Sequence, residues 1–285
     1  MKKLRLKKPV TITGLDCFGR KAWLTLSPTD EPGWHWKPYL GHNLLLPIDW
    51  RIAKYSKLFR FLYLHHEGLK LRIIEHVLPL RFTGLDGVIV TGSGWPPYHG
   101  RCWDLWDVVK PKTLEIDENV SWITPTRKYE WGYSVSGRSV TLCPIRFESM
   151  PNLQVRVEIN YPGLGEKNAH LVFPGDLEVL EEIFRARAQG WPPKRRYAFC
   201  WLASLFGSPM INTVCWPQKY SKAQALQKFL FHRVQDILGG TALSHHSALM
   251  AGTIMSCRGG HEADLGLLSF CKFRSPVLVP EKIFV

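Results

Sequence analysis

The chain has 285 residues, of which 45% are hydrophobic, 21% charged and 12% aromatic. This is the composition of a globular chain and not of a disordered one, and it is long enough for one large domain or two of roughly 140 residues. The formal net charge of +13 favours an anionic partner (nucleic acid, a phosphorylated small molecule or an acidic membrane face) without choosing among them.

In chain order, the basic start Lys2–Lys8 reads as a solvated edge or an anion contact, as does Lys194–Arg196. The apolar run Val10–Leu15 is too short for the core of a secretion signal. Val10–Pro28 predicts strand, turn and strand. A mostly apolar run at Leu71–Leu78 precedes a strand-like Gly87–Gly92, and proline interrupts the chain at Trp95–Pro97 and Lys110–Lys112. Further strands are expected at Val120–Ile123, Tyr133–Cys143 and Leu153–Ile159. Asp176–Gln189 has helical spacing, with Leu177, Leu180, Ile183 and Phe184 on one stripe, Asp176 as N-cap and Gly190 as stop.

Tyr197–Trp216 carries no charged residue, yet Gly207, Ser208, Pro209 and Asn212 break it. It predicts a buried hairpin-like or helix–turn–strand element and not a membrane span. Ser221–Leu238 is the clearest helix: Ser221 caps it, Ala225, Leu226, Phe229, Leu230 and Val234 form its apolar stripe, and Gly239 and Gly240 are expected to end it. Residues 1–115 and 116–285 each read as an α+β layer, with the break at Lys110–Glu118. No short repeat is visible; a distant duplication of the layer stays open.

Seven cysteines are scattered without a C-x-x-C pair. That excludes the usual cysteine zinc signatures and fits thiols in a reducing compartment. Histidines and carboxylates are more informative. His232 and Asp236 sit four apart on the long helix, one turn apart on one face, where they can share a metal or simply hydrogen-bond to each other. Glu75 and His76 interrupt an apolar run, and buried polar groups need partners. Either a metal takes the imidazole and the carboxylate acts as base, or both reach water at a helix edge. Pro79 fits a helix that starts close to His76 or Val77. His261 follows Gly259 and Gly260, a tight approach that suits a functional histidine or a plain turn. Adjacent residues in a helix or strand point apart, so the pairs His65–His66 and His245–His246 read as structural or surface residues. One histidine with a His/Asp pair gives three N and O donors, the composition of a hydrolytic zinc site.

In their order, these motifs resemble the UDP-3-O-acyl-N-acetylglucosamine deacetylases, zinc enzymes of lipid A biosynthesis. Ile74–Val90 (IEHVLPLRFTGLDGVIV) is similar to the family's acid–His motif, His232–Gly240 (HRVQDILGG) to its H-K-x-x-D-x-x-G helix, and Arg258–His261 (RGGH) to its late S-G-H motif. Weaker echoes lie at Ile12–Pro28, Val155–Gly165 and Glu181–Trp191. The resemblance implies an α+β fold of two similar layered domains, 1–115 and 116–285, with helices sandwiched between sheets and the active site at their interface. It implies His76, His232 and Asp236 as ligands of a Zn2+ cofactor, Glu75 as general base and His261 as the acid for the leaving amine. It places Arg233, Ala188 and Phe199 at the substrate, and an apolar insert at about 190–216 as a passage for the acyl chain.

The expected activity is hydrolysis of the acetamide of a nucleotide-sugar acyl substrate, releasing acetate, by a cytoplasmic monomer with peripheral contact to the inner membrane. Four departures from the family stand out: Arg233 replaces a lysine, Gly240 an aspartate that orients the catalytic histidine, Ala188 a threonine near the oxyanion, and the family's early G-L-H-S-G motif appears at Gly14–Gly19 without its histidine. They keep a rival in play, a catalytically weakened or inactive paralogue that binds a nucleotide sugar or lipid precursor. Nucleic-acid binding is the other rival, and no helix-turn-helix, finger or RNP-type motif supports it.

Overall fold

The computed structural model describes every residue except 17–19, 39–42, 58–60, 98–101, 134–137, 146–149, 162–164, 176, 187, 190–212, 215–220 and 276–285. The fold is mixed, with helices and several sheets. The first large sheet holds β1 (Val10–Leu15), β2 (Lys21–Pro28), β3 (Trp34–Trp36), β4 (Leu46–Pro47) and β5 (Val88–Gly92), in the order β1-β2-β5-β3-β4. The second holds β6 (Tyr129–Tyr133), β7 (Arg138–Cys143), β8 (Leu153–Tyr161), β9 (Gly165–Phe173) and β10 (Gly252–Cys257), in the order β6-β7-β10-β8-β9.

The two orders are the same, and so is the polarity. In each sheet the last strand enters the middle, antiparallel to the second strand and parallel to the third. The strands alternate because each sheet has one covered face: in β2 Ala22, Leu24 and Leu26 are buried while their neighbours are not, and Val155, Val157 and Ile159 repeat this in β8. These inward faces meet helices. Four are described: α1 (Cys102–Val109), α2 (Leu177–Phe184), α3 (Lys222–Thr241) and α4 (His261–Phe270). Helix α3 packs against β8, β9, α2, α4 and the 3-10 turn Leu78–Thr83. One continuous apolar core runs from Trp34, Leu62 and Ile74 to Val140, Val155 and Ile237.

Several sequence expectations shift. Tyr133–Cys143 is not one strand but part of a hairpin, with β6 and β7 paired from Tyr129↔Leu142 to Tyr133↔Arg138. The Asp176–Gln189 helix ends at Phe184, and Ala188–Gln189 pairs in parallel with Thr213–Val214; its expected cap and stop, Asp176 and Gly190, lie outside the described residues. The strand expected at Val120–Ile123 forms at Trp122–Pro125. The expected break at Lys110–Glu118 is a 3-10 turn followed by strand Thr113–Asn119, which pairs antiparallel with Lys2–Leu6. Most of the uncharged Tyr197–Trp216 stretch lies outside the described residues; among those described, no helix is long and apolar enough to cross a membrane.

The start of α3 agrees with expectation. The Ser221 hydroxyl accepts from the Gln224 backbone N–H, and the Gln224 carboxamide oxygen accepts from the Ser221 N–H, a reciprocal cap. Its end does not. Gly239 and Gly240 lie inside the helix, which runs to Thr241. A Cβ on Gly239 would collide with the carbonyl oxygen of Ile74, so this glycine lets the helix backbone press against the segment that carries Glu75. In an open helix interior Gly→Ala stabilises by about 1 kcal/mol. Here Gly239→Ala is expected to reverse that sign and destabilise by roughly 1–3 kcal/mol through overpacking. Urea denaturation reads the sign directly, and a stabilised variant would show that the approach is not close.

Candidate active site

Three distant segments supply the site. Glu75 and His76 lie on the turn between strand Leu69–Leu71 and the 3-10 helix Leu78–Thr83, whose first turn holds Pro79. Proline fits there because a first helical turn needs no N–H donor. His232, Gln235 and Asp236 project from α3, and His261 is the first residue of α4 after Gly260 as N-cap. The five residues expected from sequence to carry the chemistry lie in one connected cluster, but the set found with all its donor atoms within 4.8 Å of one another among the described residues is Glu75, Asp236 and His261, and not the expected ligands His76, His232 and Asp236.

The contacts form a chain. His76 Nε2 is 3.6 Å from Glu75 Oε2, and Glu75 Oε1 is 3.4 Å from His261 Nε2. His261 Nε2 is also 3.7 Å from Asp236 Oδ2, and Asp236 Oδ1 is 3.5 Å from His232 Nε2. The rings of His76 and His232 stack at 6.1 Å between centroids, closing the chain on itself. Among the described residues, Glu75, Asp236 and His261 offer ligand atoms that all lie within 4.8 Å of one another, a set that can hold a metal ion.

The setting is dry. Glu75 is only 3% exposed and Asp236 6%, so each charge needs a partner. Burial raises the Glu75 carboxyl, but His261, Arg72, His76 and the Leu62 N–H outweigh burial and hold it well below the usual carboxylate range. The Leu62 N–H donates to Oε1 at 3.0 Å and Arg72 donates to Oε2 at 3.2 Å. Asp236 moves the other way, raised by burial and by the nearby Glu75 and Asp264 against His261 and Arg233. Burial lowers His76 to about 3 and His232 to about 4, so both rings are neutral at pH 7, as metal ligands must be.

Two features fit a cation. The imidazole–carboxylate contacts of 3.4–3.7 Å are longer than direct hydrogen bonds. The contact among them that joins two of the expected ligands, His232 Nε2 to Asp236 Oδ1 at 3.5 Å, falls within the roughly 3.3–3.6 Å between donors that share one tetrahedral ion at about 2.0–2.2 Å. Asp236 Oδ1 and the Nδ1 atoms of His232 and His261 are also buried with no hydrogen-bond partner among the described residues, and such groups cost about 1–3 kcal/mol each unless something satisfies them.

The depressed histidines carry a pH signature for metal-free protein. Their folded pKa values lie below the unfolded value of 6.5, so the unfolded chain takes up protons first as pH falls and stability drains away between about pH 6.5 and 4. His35, His245 and His246 are lowered too and add to the loss, while raised Asp236 opposes it. Thermal denaturation of EDTA-treated protein is expected to show Tm falling from pH 7.5 to 4.5. A flat or rising Tm would show that these rings are not buried neutral.

Of the expected substrate contacts, Arg233 is buried, and its guanidinium grips Asp264 at 2.6 and 2.7 Å and donates to the Ser256 hydroxyl at 3.1 Å. It points into the protein, so pairing with a diphosphate would require that bridge to open. Ala188 lies in the short strand Ala188–Gln189, and Phe199 lies outside the described residues. Gly240 has no carboxylate to offer; the Asp264 Cβ would lie 3.6 Å from a Cβ placed there, and His261 Nδ1 has no hydrogen-bond partner among the described residues. Sequence reasoning missed Arg72, whose guanidinium spans Glu75 and the rings of Phe61 and Trp95 at 4.5 and 5.5 Å. The three-residue spacing of Arg72 and Glu75 was its only signal. It also missed Gln235. No protein-family model matches the chain, and no curated protein matches it.

Proposed function

We propose that this protein is a zinc-dependent amide hydrolase that removes the acetyl group from a UDP-3-O-acyl-N-acetylglucosamine-like substrate, releasing acetate, in lipid A biosynthesis. The observation that carries this reading is the convergence of three imidazoles and two carboxylates in a buried cluster. In this reading 1–115 and 116–285 are two layered domains with helices between their sheets and the site at the junction, supported by the shared strand order. Its setting is a cytoplasmic monomer that touches the inner membrane peripherally.

His76, His232 and Asp236 would hold the zinc, which lowers the pKa of water to about 7 and polarises a carbonyl. Glu75, kept ionised by Arg72 and the Leu62 N–H, accepts the proton of the attacking water. His261, 3.4 Å from that carboxylate, relays a proton to the departing amine nitrogen. The buried walls exclude bulk water and strengthen each of these interactions.

One observation favours a second ligand set. Among the described residues, Glu75, Asp236 and His261 are the set of donors found within 4.8 Å of one another. Zinc analysis of two purified variants separates the sets. In the proposed reading His76→Ala loses zinc, and His261→Ala keeps zinc but loses acetate release. If His261→Ala loses the metal and His76→Ala retains it, the second set is right. If neither wild-type zinc nor acetate release is found, the weakened-paralogue reading, favoured by Gly240 and by a His261 Nδ1 without a hydrogen-bond partner among the described residues, replaces both.

A further inference from the structure

Gln235 is wholly buried on α3, one residue before Asp236. Its carboxamide crosses to a segment 160 residues away. Nε2 donates to the backbone oxygen of Glu75 at 2.9 Å and to Nδ1 of His76 at 3.1 Å. Its Oε1 is buried and has no hydrogen-bond partner among the described residues. The amide orientation is not arbitrary, because the Glu75 carbonyl can only accept and so requires the NH2 group. His76 Nδ1 must then be the acceptor, and the proton of the neutral ring sits on Nε2, on the side of the Glu75 carboxylate 3.6 Å away.

We infer that Gln235 is a positioning residue that sets the tautomer of His76 and couples it to metal loading. A neutral imidazole can bind a metal only through its unprotonated nitrogen. For Nε2 to become a ligand, the ring proton must move from Nε2 to Nδ1, where it meets the NH2 group of Gln235. Turning the carboxamide over relieves that clash. Oε1, unsatisfied before, then accepts the Nδ1–H, and the Glu75 carbonyl loses its bond from Gln235. One proton moves within one ring, the two hydrogen bonds that Gln235 Nε2 takes part in give way to the one that Oε1 accepts, and the carboxamide must also draw back from the Glu75 carbonyl, because two oxygens cannot share that hydrogen-bond distance. Gln235 thus holds the metal-free tautomer through two contacts and the loaded one through a single bond to Nδ1–H, acting from behind the ligand as partners of metal ligands commonly do. The loaded half of the cycle rests on His76 being a ligand, as proposed above; the metal-free half does not.

Nitrogen NMR of the His76 ring in the full-length protein tests both halves. Metal-free protein is expected to show the Nε2–H tautomer, and addition of zinc alone is expected to convert it to Nδ1–H. Gln235→Glu, whose side chain can only accept when ionised, should hold Nδ1–H before any metal is added. Gln235→Met, which keeps the bulk and removes both polar atoms, should abolish the tautomer preference and weaken zinc binding by about 10-fold or more. Nδ1–H in metal-free wild type, or an unchanged tautomer in Gln235→Met, overturns the inference. A correct metal-free tautomer that zinc leaves untouched keeps Gln235 as the positioning residue, overturns the coupling, and removes His76 from the ligand set.

Discussion

Replacing Glu75 with alanine is expected to lower acetate release about 10²–10⁴-fold, the usual contribution of a positioned general base, while zinc stays bound at one equivalent. In the proposed reading the carboxylate is prepared for this task from several sides. It is buried, it accepts from Leu62 and Arg72, and His261 stands 3.4 Å from it. Removing it leaves those donors unmet at a cost of about 1–3 kcal/mol, so activity must be normalised to folded protein. Glu75→Gln keeps the shape and should lose nearly as much rate with a smaller loss of stability. Retained turnover in Glu75→Ala sinks the base assignment, and loss of zinc along with rate makes the carboxylate a ligand.

The largest stability effect is expected at Arg233. Its two-pronged grip on Asp264 joins α3, which carries His232 and Asp236, to α4, which begins with His261. Both side chains are buried. Arg233→Ala leaves a carboxylate in a dry interior without its cation and should cost about 3–5 kcal/mol. Arg233→Lys should recover only part of this, since one ammonium cannot match the planar fork that meets both oxygens. Changing both partners together, Arg233→Met with Asp264→Leu, should recover most of it. Denaturation of the three variants gives the comparison; a single substitution costing under about 1 kcal/mol would show that the bridge does not hold the two helices.

The candidate cluster was legible because its residues break local rules. Glu75 and His76 interrupt an apolar run, His232 and Asp236 share a helix face, and two glycines precede His261. What stayed hidden depends on partners far along the chain. Gln235 reaches across 160 residues to Glu75, and Arg233 across 31 to Asp264; no local pattern specifies such pairs. Gly239 read as a helix stop because glycine signals both an ending and a close approach, and only the position of the Ile74 carbonyl tells them apart. The shared strand order was equally hidden, since it lies in pairings between strands such as Trp34–Trp36 and Val88–Gly92 that are remote in sequence.

That order has a consequence for synthesis. The central strand of each sheet is the last of its set to be made, so on the ribosome the earlier strands must wait as separate hairpins. Once Val88–Gly92 has emerged the first sheet can close, but the second has no middle until Gly252–Cys257 arrives. A nascent chain stopped short of that strand exposes two unpaired edges, the kind of surface that chaperones recognise.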